Sequence, residues 1–517
     1  MLDKAAKQNQ DIRFTVLTVN LVLISALLLA ALVYLNPTFS FDDAALIRIA
    51  SFGLLMITAW SLWSWRILTG NWFDPYTLFL IAAALFNGGQ AFLEIFGLNS
   101  SGSLQGGSYG GSYYGGIYGS GILEGRFSSA TIVKALFLVT LGLAAYHIGG
   151  SLSVASTRKK SRPVSAITPE AFAEPTLRAL RWVGWGLLTI SAVPTLFVLR
   201  SDLSVVLSSG YFARFQQQTG YGFGAAPAIL AQCIVPGSLF LLAGSRKYRL
   251  TIALTALVVL AYTSFLFLAG TRHTTVMLLV AYAWLYHRCI RPIPKVFLLS
   301  AGSLLLFVVL PLVGSVREVW SYENFGFESL FAVLANTFSS IDNPVTVIIS
   351  EMGRSMDTVA YTINRVPNYR DFDMGESYFY ALLSLIPNLF WNVHPTVTHG
   401  LLDDWLVAMI DPYRANSDNS IGYSFIAEAY INFGWLGAPL AICVIGFLVG
   451  KLVLWADKSA DVARIAMVGS FTAFFLLYAR GESNEVVRSI VWYAFIPYLC
   501  VCWLRSQMWP QSSKIRD

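Results

Sequence analysis

Long apolar runs separated by short polar segments make up most of this chain. A helix needs about 20 consecutive apolar residues to cross a membrane, so each run predicts one transmembrane helix. About twelve such helices are predicted, and the eighth and twelfth are the shortest. Their predicted ranges are 14–35, 44–65, 75–97, 128–152, 180–199, 225–244, 251–269, 274–288, 296–314, 434–455, 462–478 and 489–504.

Basic residues between the apolar runs predict the side of the membrane on which each connection lies. Cytoplasmic connections are enriched in Lys and Arg. With about twelve helices and both termini in the cytoplasm, every basic cluster falls on the cytoplasmic side, and connections alternate between the cytoplasm and the outside along the chain. These clusters lie at residues 4–13, 158–162, 246–249, 288–295 and 505–516.

Two of the outside segments have unusual compositions. Residues 98–127 are rich in Gly, Ser and Tyr, a composition typical of a flexible linker; tyrosines that stack on sugar rings or lie at a lipid interface are the alternative. Residues 200–224 combine Arg200 and Arg214 with Tyr, Phe and Gln. This mixture suits a contact with carbohydrate or phosphate and equally suits a solvated loop.

A third outside segment, residues 315–423, is too long for a structureless loop and predicts a helical cap on the outer face. Within it, Tyr378–Phe390 is strongly apolar but too short to span, which predicts a re-entrant or interfacial helix. The chain therefore divides into about nine helices over 1–314, the cap, and about three helices over 424–517.

Composition agrees with a membrane protein and disfavours other classes. Hydrophobic residues make up 56 % of the 517 residues, charged residues 12 %, and the mean hydropathy is +0.60; soluble domains carry about 25 % charged residues. The net charge of +6 follows from the cytoplasmic connections and does not indicate a nucleic-acid partner. The five cysteines lie in or beside apolar runs, so no disulfide framework is expected. Neither a nucleotide-binding fingerprint nor a cleavable signal peptide is predicted.

Polar and ionisable residues are concentrated between Met374 and Leu436, a stretch that leads directly into the tenth predicted helix. Aromatic residues such as Trp391, Trp405 and Trp435 recur along it. Such rings suit a sugar-binding groove and equally suit an aromatic belt at a membrane interface. The sequence therefore predicts that the chemistry takes place on this stretch, at the membrane surface.

Three segments carry a resemblance to a known family. They are EMGRSMDTVAYTINRVPNYRDFDMGESYFYALLSLIPNLFW from Glu351, GYSFIAEAYINFGWLGAP from Gly422, and YARGESNEVVRS from Tyr478. Together with many spans and one long, late outside loop, they resemble the Wzy-type O-antigen polysaccharide polymerases, also called oligosaccharide repeat unit polymerases. The match is most specific over residues 350–440.

The resemblance implies a GT-C-like glycosyltransferase of the bacterial inner membrane whose active site faces the periplasm. Such an enzyme transfers the growing glycan from undecaprenyl diphosphate to a new lipid-linked repeat unit. The implied partners are this lipid-linked oligosaccharide, membrane lipids and a chain-length regulator protein. The chain departs from some relatives in one respect: they carry an Arg-x10-Gly motif in periplasmic loops, and neither Arg200 nor Arg214 has glycine at that interval.

The implied reaction releases a lipid diphosphate, and arginine suits this leaving group because its planar fork binds phosphate oxygens bidentately and stays charged. Arg272 and Arg480 lie in very short turns between apolar helices, where an ionisable side chain indicates function. Snorkelling to lipid headgroups, or a pair with a neighbour such as Glu482, is the alternative. The predicted diphosphate-binding residues are Arg272, Arg317, Arg354, Arg480 and Arg488. Other predicted substrate contacts are Arg214, Arg414, Tyr423 and Tyr430.

The acceptor hydroxyl needs a proton acceptor. Glu428 is one candidate, since its apolar neighbours favour proton uptake; a structural carboxylate is the alternative. His394 and His399 are two more, because histidine is the side chain suited to a base near neutral pH; solvated loop residues are the alternative. Further candidates are Glu376, Asp403 and Asp404. No spacing matches a strong metal-ligand pattern. Two acidic residues separated by one other, as at Asp371 and Asp373, are common by chance, so neither metal nor cofactor is predicted.

Two other functions stay open at this point. An O-antigen ligase would use a similar donor and pass the glycan to lipid A-core. A transporter or flippase would move polyprenyl-linked glycans across the membrane; such proteins often contain repeated halves, and no matching halves are visible here. The sequence favours the polymerase.

Overall fold

The protein is described by a computed structural model over residues 2–98, 122–157, 173–209, 225–313, 344–415 and 422–513, apart from residues 37, 40, 312, 389 and 460. Within these ranges the regular structure is entirely helical. Numbered in chain order, the helices are α1 Leu2–Leu35, α2 Asp43–Thr69, α3 Pro75–Ile95, α4 Ser129–Ala155, α5 Glu174–Ser209, α6 Ala226–Gly244, α7 Arg249–Leu268, α8 His273–Cys289, α9 Lys295–Val309, α10 Pro344–Met352, α11 Ser355–Arg365, α12 Glu376–Leu383, α13 Pro395–His399, α14 Leu402–Ile410, α15 Pro412–Ala415, α16 Phe425–Ser459, α17 Val462–Phe475, α18 Ser483–Ile490 and α19 Ile496–Ser513. A 3₁₀ turn, Leu476–Arg480, extends α17, and a π-helical turn, Val491–Phe495, joins α18 to α19.

Ten helical segments of the described chain are long and apolar enough to cross a membrane. They are α1 to α7, α16, α17 with its 3₁₀ extension, and α18 with α19. Helices α8 and α9 are shorter and coincide with the eighth and ninth predicted windows. The prediction of an all-α integral membrane protein is confirmed, whereas ten segments rather than about twelve reach the full spanning length.

Two helices form the centre of the bundle. Most of α4 and α17 is buried by other helices, whereas α1, α2 and α7 expose most of their apolar surface. Helix α4 packs closely on α16 because glycines remove side chains from the contact. A Cβ atom on Gly149 would lie 1.9 Å from the main-chain oxygen of Cys443, and one on Gly446 would lie 2.1 Å from that of Tyr146. Small residues at such crossings let two membrane helices approach backbone to backbone.

Helix α16 begins at Phe425, before the predicted start at residue 434. Ser424, Glu428 and Asn432 recur every four residues, and all three side chains are buried. They share one helical face that contacts protein rather than lipid, so the average hydropathy of this turn is too low to predict a span. The backbone leaves the helical conformation at Gly434, with φ 64° and ψ −163°, and then continues as a helix to Ser459.

The helical segment α10 to α15, residues 344–415, packs on one end of the bundle and is called the cap; the bundle end that it covers is the cap end. Helix α10 crosses α3 closely, since a Cβ atom on Gly89 would lie 2.7 Å from the main-chain oxygen of Ile349. Helix α11 is attached to the start of α4 by an ion pair of 2.7 Å between Arg126 and Asp357.

The opposite end of the bundle has its own polar anchors. Arg288 at the end of α8 pairs with Asp457 near the end of α16, at 2.5 Å. Asp74 accepts a hydrogen bond from the Trp65 indole at 2.9 Å and caps α3 through the main-chain N–H of Thr77. The connections that carry these groups are the ones predicted to be cytoplasmic, and those predicted to lie outside, at Arg272 and Arg480, are at the cap end.

Candidate functional site

A buried carboxylate, Glu428, lies at the centre of the cap end. Its side chain has no solvent exposure. One oxygen accepts hydrogen bonds from the hydroxyls of Ser377 (3.0 Å) and Ser483, and the other accepts from the hydroxyl of Tyr478 (3.1 Å) and the main-chain N–H of Ser483 (2.9 Å). Four donors fill the acceptor positions of an ionised carboxylate. Glu428 thereby joins the cap to α16, to the end of α17 and to the start of α18.

The cap also bonds to the main chain of α16 just before its break. The N–H groups of Asp373 and Met374 donate to the carbonyl oxygens of Ile431 and Asn432 at 2.9 and 3.1 Å. The Asn432 side chain accepts from the N–H of Gly375 at 2.9 Å. A helix that stops at Gly434 leaves the carbonyls of its last turn without helical partners, and such groups are costly inside a membrane protein unless they are satisfied. The cap supplies the missing donors.

The turn that makes these bonds has an unusual backbone. Met374 and Gly375 are successive residues in the left-handed region, with φ 51° and 96°. A side chain at positive φ carries a conformational cost that glycine avoids. Met374 is held there by the hydrogen bond to α16 described above, and Gly375 faces the ring of Phe433.

A second buried carboxylate, Glu482, connects the cap to α18. It accepts a hydrogen bond from the main-chain N–H of Leu402 at 2.9 Å and forms a capping box with Glu485 at the start of α18. Burial, together with the negative charges of Glu428, Asp403 and Glu485, raises the pKa of Glu482 well above its usual value. Acidic side chains therefore crowd the buried side of the turn that carries Arg480.

Arg480 ends the 3₁₀ turn after α17 and is partly buried. Its guanidinium lies over the ring of Phe86 in α3, with 5.9 Å from Cζ to the ring centroid. On its other side runs the chain that leads into α16: a Cβ atom on Gly422, where φ is 73°, would lie 3.1 Å from Nε of Arg480. Arg480 is thus enclosed by α3, the start of α16 and the start of α18.

The main chain around Arg480 is fixed by Asn87, a fully buried residue of α3. Its side-chain amide donates to the carbonyl of Ala479 at 2.9 Å and accepts from the hydroxyl of Ser424 at 2.6 Å. Asn87 therefore fixes the start of α16 relative to the 3₁₀ turn that ends at Arg480, which is called the arginine turn below.

Three other predicted diphosphate ligands are described. Arg272 immediately precedes α8 and forms an ion pair of 2.8 Å with Glu351 of the cap. Arg354 lies between α10 and α11, and the side chain of Arg488 in α18 is exposed. These three arginines lie on elements of the cap or the cap end, as Arg480 does.

Three further predicted residues fall outside what the structure describes. Arg214 and Arg317 lie outside the described residues. For Arg414 the backbone is described, in α15, and the side chain is not.

The two predicted histidines differ in what their ring nitrogens contact. His394 uses both: Nε2 donates to the carbonyl of Ile386 at 3.0 Å, and Nδ1 faces the hydroxyl and N–H of Thr396 at 2.7 and 3.3 Å. In His399, Nδ1 donates to the carbonyl of Gly400 at 3.0 Å. Because a carbonyl only accepts, this bond places a proton on Nδ1, so in the neutral imidazole Nε2 of His399 carries the lone pair.

The two predicted tyrosines are buried and bonded to the cap. The hydroxyl of Tyr423 lies 2.8 Å from that of Thr362 in α11. The hydroxyl of Tyr430 donates to the carbonyl of Val366 at 3.2 Å. Burial raises the pKa of the Tyr423 hydroxyl, and the neighbouring Arg370 guanidinium opposes this shift.

A pattern of metal ligands is not found in the part of the chain that the structure describes. There, no three His, Cys, Asp or Glu side chains converge in a way that could hold a metal ion.

The three segments that carry the resemblance thus meet at the cap end, and a comparison over the whole sequence agrees. The family model for the O-antigen polysaccharide polymerase Wzy matches residues 12–512. The chain belongs to this family. The Wzy family comprises polymerases of polysaccharide repeat units. This chain is therefore a multi-pass membrane protein and an enzyme of the glycosyl-transfer type. No curated protein and no solved structure matches the chain.

Sequence reasoning missed most of the residues that hold the cap end of this Wzy-family protein together. Ser377, Tyr478, Ser483 and Asn432 are neutral residues whose positions carry no signal of their own. Arg370 lies inside the most specific segment, and its spacing of three residues from Asp373 is a signal that could have singled it out.

Proposed function

We propose that this chain polymerises undecaprenyl-diphosphate-linked oligosaccharide repeat units into O-antigen or exopolysaccharide on the periplasmic face of the inner membrane. The observation that carries the proposal is the arrangement around the arginine turn. Two hydrogen bonds hold the chain just after Arg480: the main-chain N–H of Leu402 in the cap donates to Glu482, and the main-chain N–H of Ser483 donates to Glu428 of α16. A cation between two apolar helices is thereby fixed beside a polar cap, as transfer from a lipid diphosphate requires.

The proposed step is one glycosyl transfer. A hydroxyl of the incoming lipid-linked unit attacks the anomeric carbon of the growing glycan and forms the new glycosidic bond. The bond between that carbon and the diphosphate oxygen breaks, and undecaprenyl diphosphate leaves with the bonding electrons. The hydroxyl proton passes to a base. The enzyme must therefore hold a diphosphate and accept a proton within one site.

We assign the diphosphate to Arg480, with Arg272, Arg354 and Arg488 as further cations on the same end of the bundle. Arg480 is the strongest of these because α3, α16 and α18 enclose it and Asn87 fixes its turn. A guanidinium held in advance loses little conformational freedom when it binds phosphate oxygens. The predicted roles of Arg214, Arg317 and Arg414 stay predictions.

Of Glu428, His394 and His399, the last suits the role of proton acceptor best. Both ring nitrogens of His394 are used in the cap, and the four acceptor positions of Glu428 are filled. The tautomer of His399 leaves the lone pair of Nε2 for a substrate hydroxyl, and Asp373 lies near enough to interact electrostatically with this ring. Glu428 is then a positioning residue.

The apolar surface of the cap supports delivery of a lipid-linked substrate. Phe379, Leu382 and Phe390 are exposed by 61 %, 61 % and 78 %. Their neighbour Tyr378 stacks on Phe433 of α16, with ring centroids 5.9 Å apart. The apolar face of α12 is therefore continuous with the lipid-facing side of α16, as expected of an interfacial helix.

Purified protein, incubated in detergent with undecaprenyl-diphosphate-linked repeat units, tests this proposal. A ladder of progressively longer glycans is expected. Transfer only to added lipid A-core would instead identify a ligase. Movement of the lipid across vesicles without lengthening would identify a flippase.

A further inference from the structure

A second group of polar and aromatic side chains lies on the cap, beside His399. It consists of Arg370, Asp373, Tyr380 and Trp405. The Arg370 guanidinium lies over the Trp405 ring, with 4.6 Å from Cζ to the centroid, and the rings of Tyr380 and His399 are 4.2 Å apart. Tyr380, His399 and Trp405 are each partly exposed.

Arg370 and Asp373 form a bidentate pair. Nε and one terminal nitrogen of Arg370 donate to the two oxygens of Asp373 at 3.1 and 2.8 Å. The Arg370 side chain is 25 % exposed and that of Asp373 is 6 % exposed. The guanidinium has further N–H groups that can donate to sugar hydroxyls, and Asp373 fixes its orientation.

The backbone holds this pair rigidly. The N–H of Asp373 is bonded to the last helical turn of α16 before the break, and Met374 follows in the left-handed conformation. Burial raises the pKa of Asp373, and the Arg370 charge opposes this shift. A pair fixed in this way has lost its conformational freedom before any ligand binds, which favours affinity.

The group lies close to the proposed diphosphate site. Arg370 lies over Trp405 of α14, and the main-chain N–H of Leu402, the first residue of α14, bonds to Glu482, which follows Arg480 closely in the chain. Arg370 and Arg480 therefore lie at the same part of the cap end. A sugar bound at Arg370 and a diphosphate bound at Arg480 would be neighbours.

We propose that Arg370, Asp373, Tyr380 and Trp405 form the subsite that binds the acceptor sugar. The apolar face of a pyranose ring packs on Trp405 or Tyr380, and its hydroxyls bond to the Arg370 guanidinium, which Asp373 orients. His399 then lies next to the bound sugar, where the reacting hydroxyl delivers its proton. This inference rests on the proposed polymerase function, which supplies the sugar as acceptor.

Direct binding tests the subsite without requiring catalysis. The probe is the reducing oligosaccharide released by mild acid from the producing strain's own lipid-linked repeat units, titrated calorimetrically into the detergent-solubilised full chain. Trp405→Ala and Arg370→Lys are expected to weaken binding at least about tenfold, because the first removes the stacking surface and the second the planar fork. Trp405→Phe is expected to retain most of the affinity.

The chain offers a matched control on the same cap. The Arg365 guanidinium lies over the ring of Tyr369, with 4.8 Å from Cζ to the centroid, and Tyr369 is 70 % exposed. Arg365→Lys and Tyr369→Ala are expected to bind the oligosaccharide as the unchanged protein does. The subsite would be overturned if Trp405→Ala is folded and if Trp405→Ala, Trp405→Phe and Arg370→Lys all bind the oligosaccharide as tightly as the unchanged protein does.

Elongation kinetics separate this inference from the function on which it rests. If the subsite binds the acceptor, Arg370→Lys raises KM for the acceptor unit and leaves the KM for the donor unchanged. Binding that depends on Trp405, in a protein that makes no ladder, supports the subsite and refutes the polymerase. A ladder whose acceptor KM is the same in Arg370→Lys refutes the subsite and leaves the polymerase standing.

Discussion

Ser483 donates two hydrogen bonds to Glu428, from its main-chain N–H at 2.9 Å to one oxygen and from its hydroxyl to the other. Ser483 is the first residue of α18, and Glu428 lies in the first turn of α16. One residue pair therefore fixes the starts of two membrane helices relative to each other. Arg480, the last residue of the 3₁₀ turn, closely precedes Ser483 in the chain.

Replacing Glu428 by Gln tests whether this carboxylate positions the site. The amide nitrogen would face groups that are themselves donors, so the free energy of unfolding should fall by about 2 kcal/mol and elongation should fall with it. Thermal unfolding in detergent and the glycan ladder measure the two effects. Glu174→Gln at the opposite end, where the carboxylate is 48 % exposed, should change neither. Full stability with lost elongation would contradict a positioning role.

Arg480→Ala tests the diphosphate assignment. Removal of a fixed guanidinium should reduce elongation about 100-fold, and Arg480→Lys should restore part of it because a point charge replaces the fork. Arg181→Ala is the matched control, since Arg181 pairs with Glu174 at the opposite end of the bundle. Elongation at the unchanged rate in a folded Arg480→Ala protein would remove Arg480 from the site.

Glu482→Gln tests the effect of pH on cap attachment. A carboxylate whose pKa is raised by folding contributes stability that is fully present below its unfolded pKa, about 4.3, and is lost as pH rises through the folded value. The unchanged protein should therefore lose thermal stability as the pH rises above about 4.3. The variant keeps an acceptor for Leu402 and should lose less. The same change of melting temperature with pH in the two proteins would contradict the prediction.

Gly434→Ala tests the break in α16. With φ at 64° and the Phe372 ring 3.3 Å from the new Cβ, the substitution should lower the free energy of unfolding by about 1–3 kcal/mol. Gly53→Ala in α2 is the control, because nothing lies within 4 Å of its Cβ position and its φ is not positive. It should be neutral or slightly stabilising. Equal stability of the two variants would show that Gly434 tolerates a side chain.

A nitroxide spin label tests the interfacial placement of α12. Attached at Leu382→Cys, in a background whose five native cysteines are replaced, it should be relaxed by oxygen dissolved in the bilayer. The same label at Asp371→Cys, an exposed position of the cap, should respond to a water-soluble nickel reagent. A label at residue 382 that responds only to the nickel reagent would place α12 in water.

The fold was largely predictable because apolar runs and basic connections are local properties of the sequence. They gave the helices and placed Arg272 and Arg480 at the same end of the bundle as the cap. The start of α16 was not predictable in this way, since Ser424, Glu428 and Asn432 are buried against protein. Whether a polar face meets lipid, water or another helix depends on the tertiary structure.

The proposed site was predictable only in part. An ionisable side chain is conspicuous in an apolar sequence, so Arg480, Glu428 and His399 stood out as candidates. Their partners could not, because the bonds from Ser377 and Ser483 to Glu428 join residues 51 and 55 positions away. The distinction between His394 and His399 required the contacts of each ring nitrogen.

The most direct measurement of the central claim compares glycan lengthening with undecaprenyl diphosphate release in one reaction. Proteoliposomes containing the full chain are supplied with lipid-linked repeat units, and both products are quantified over time. Transfer at the cap end predicts that the lipid diphosphate is released in equal amount to the repeat units added, and that Arg480→Ala abolishes both. Lipid-linked units that cross the bilayer with no lengthening and no release would contradict the account.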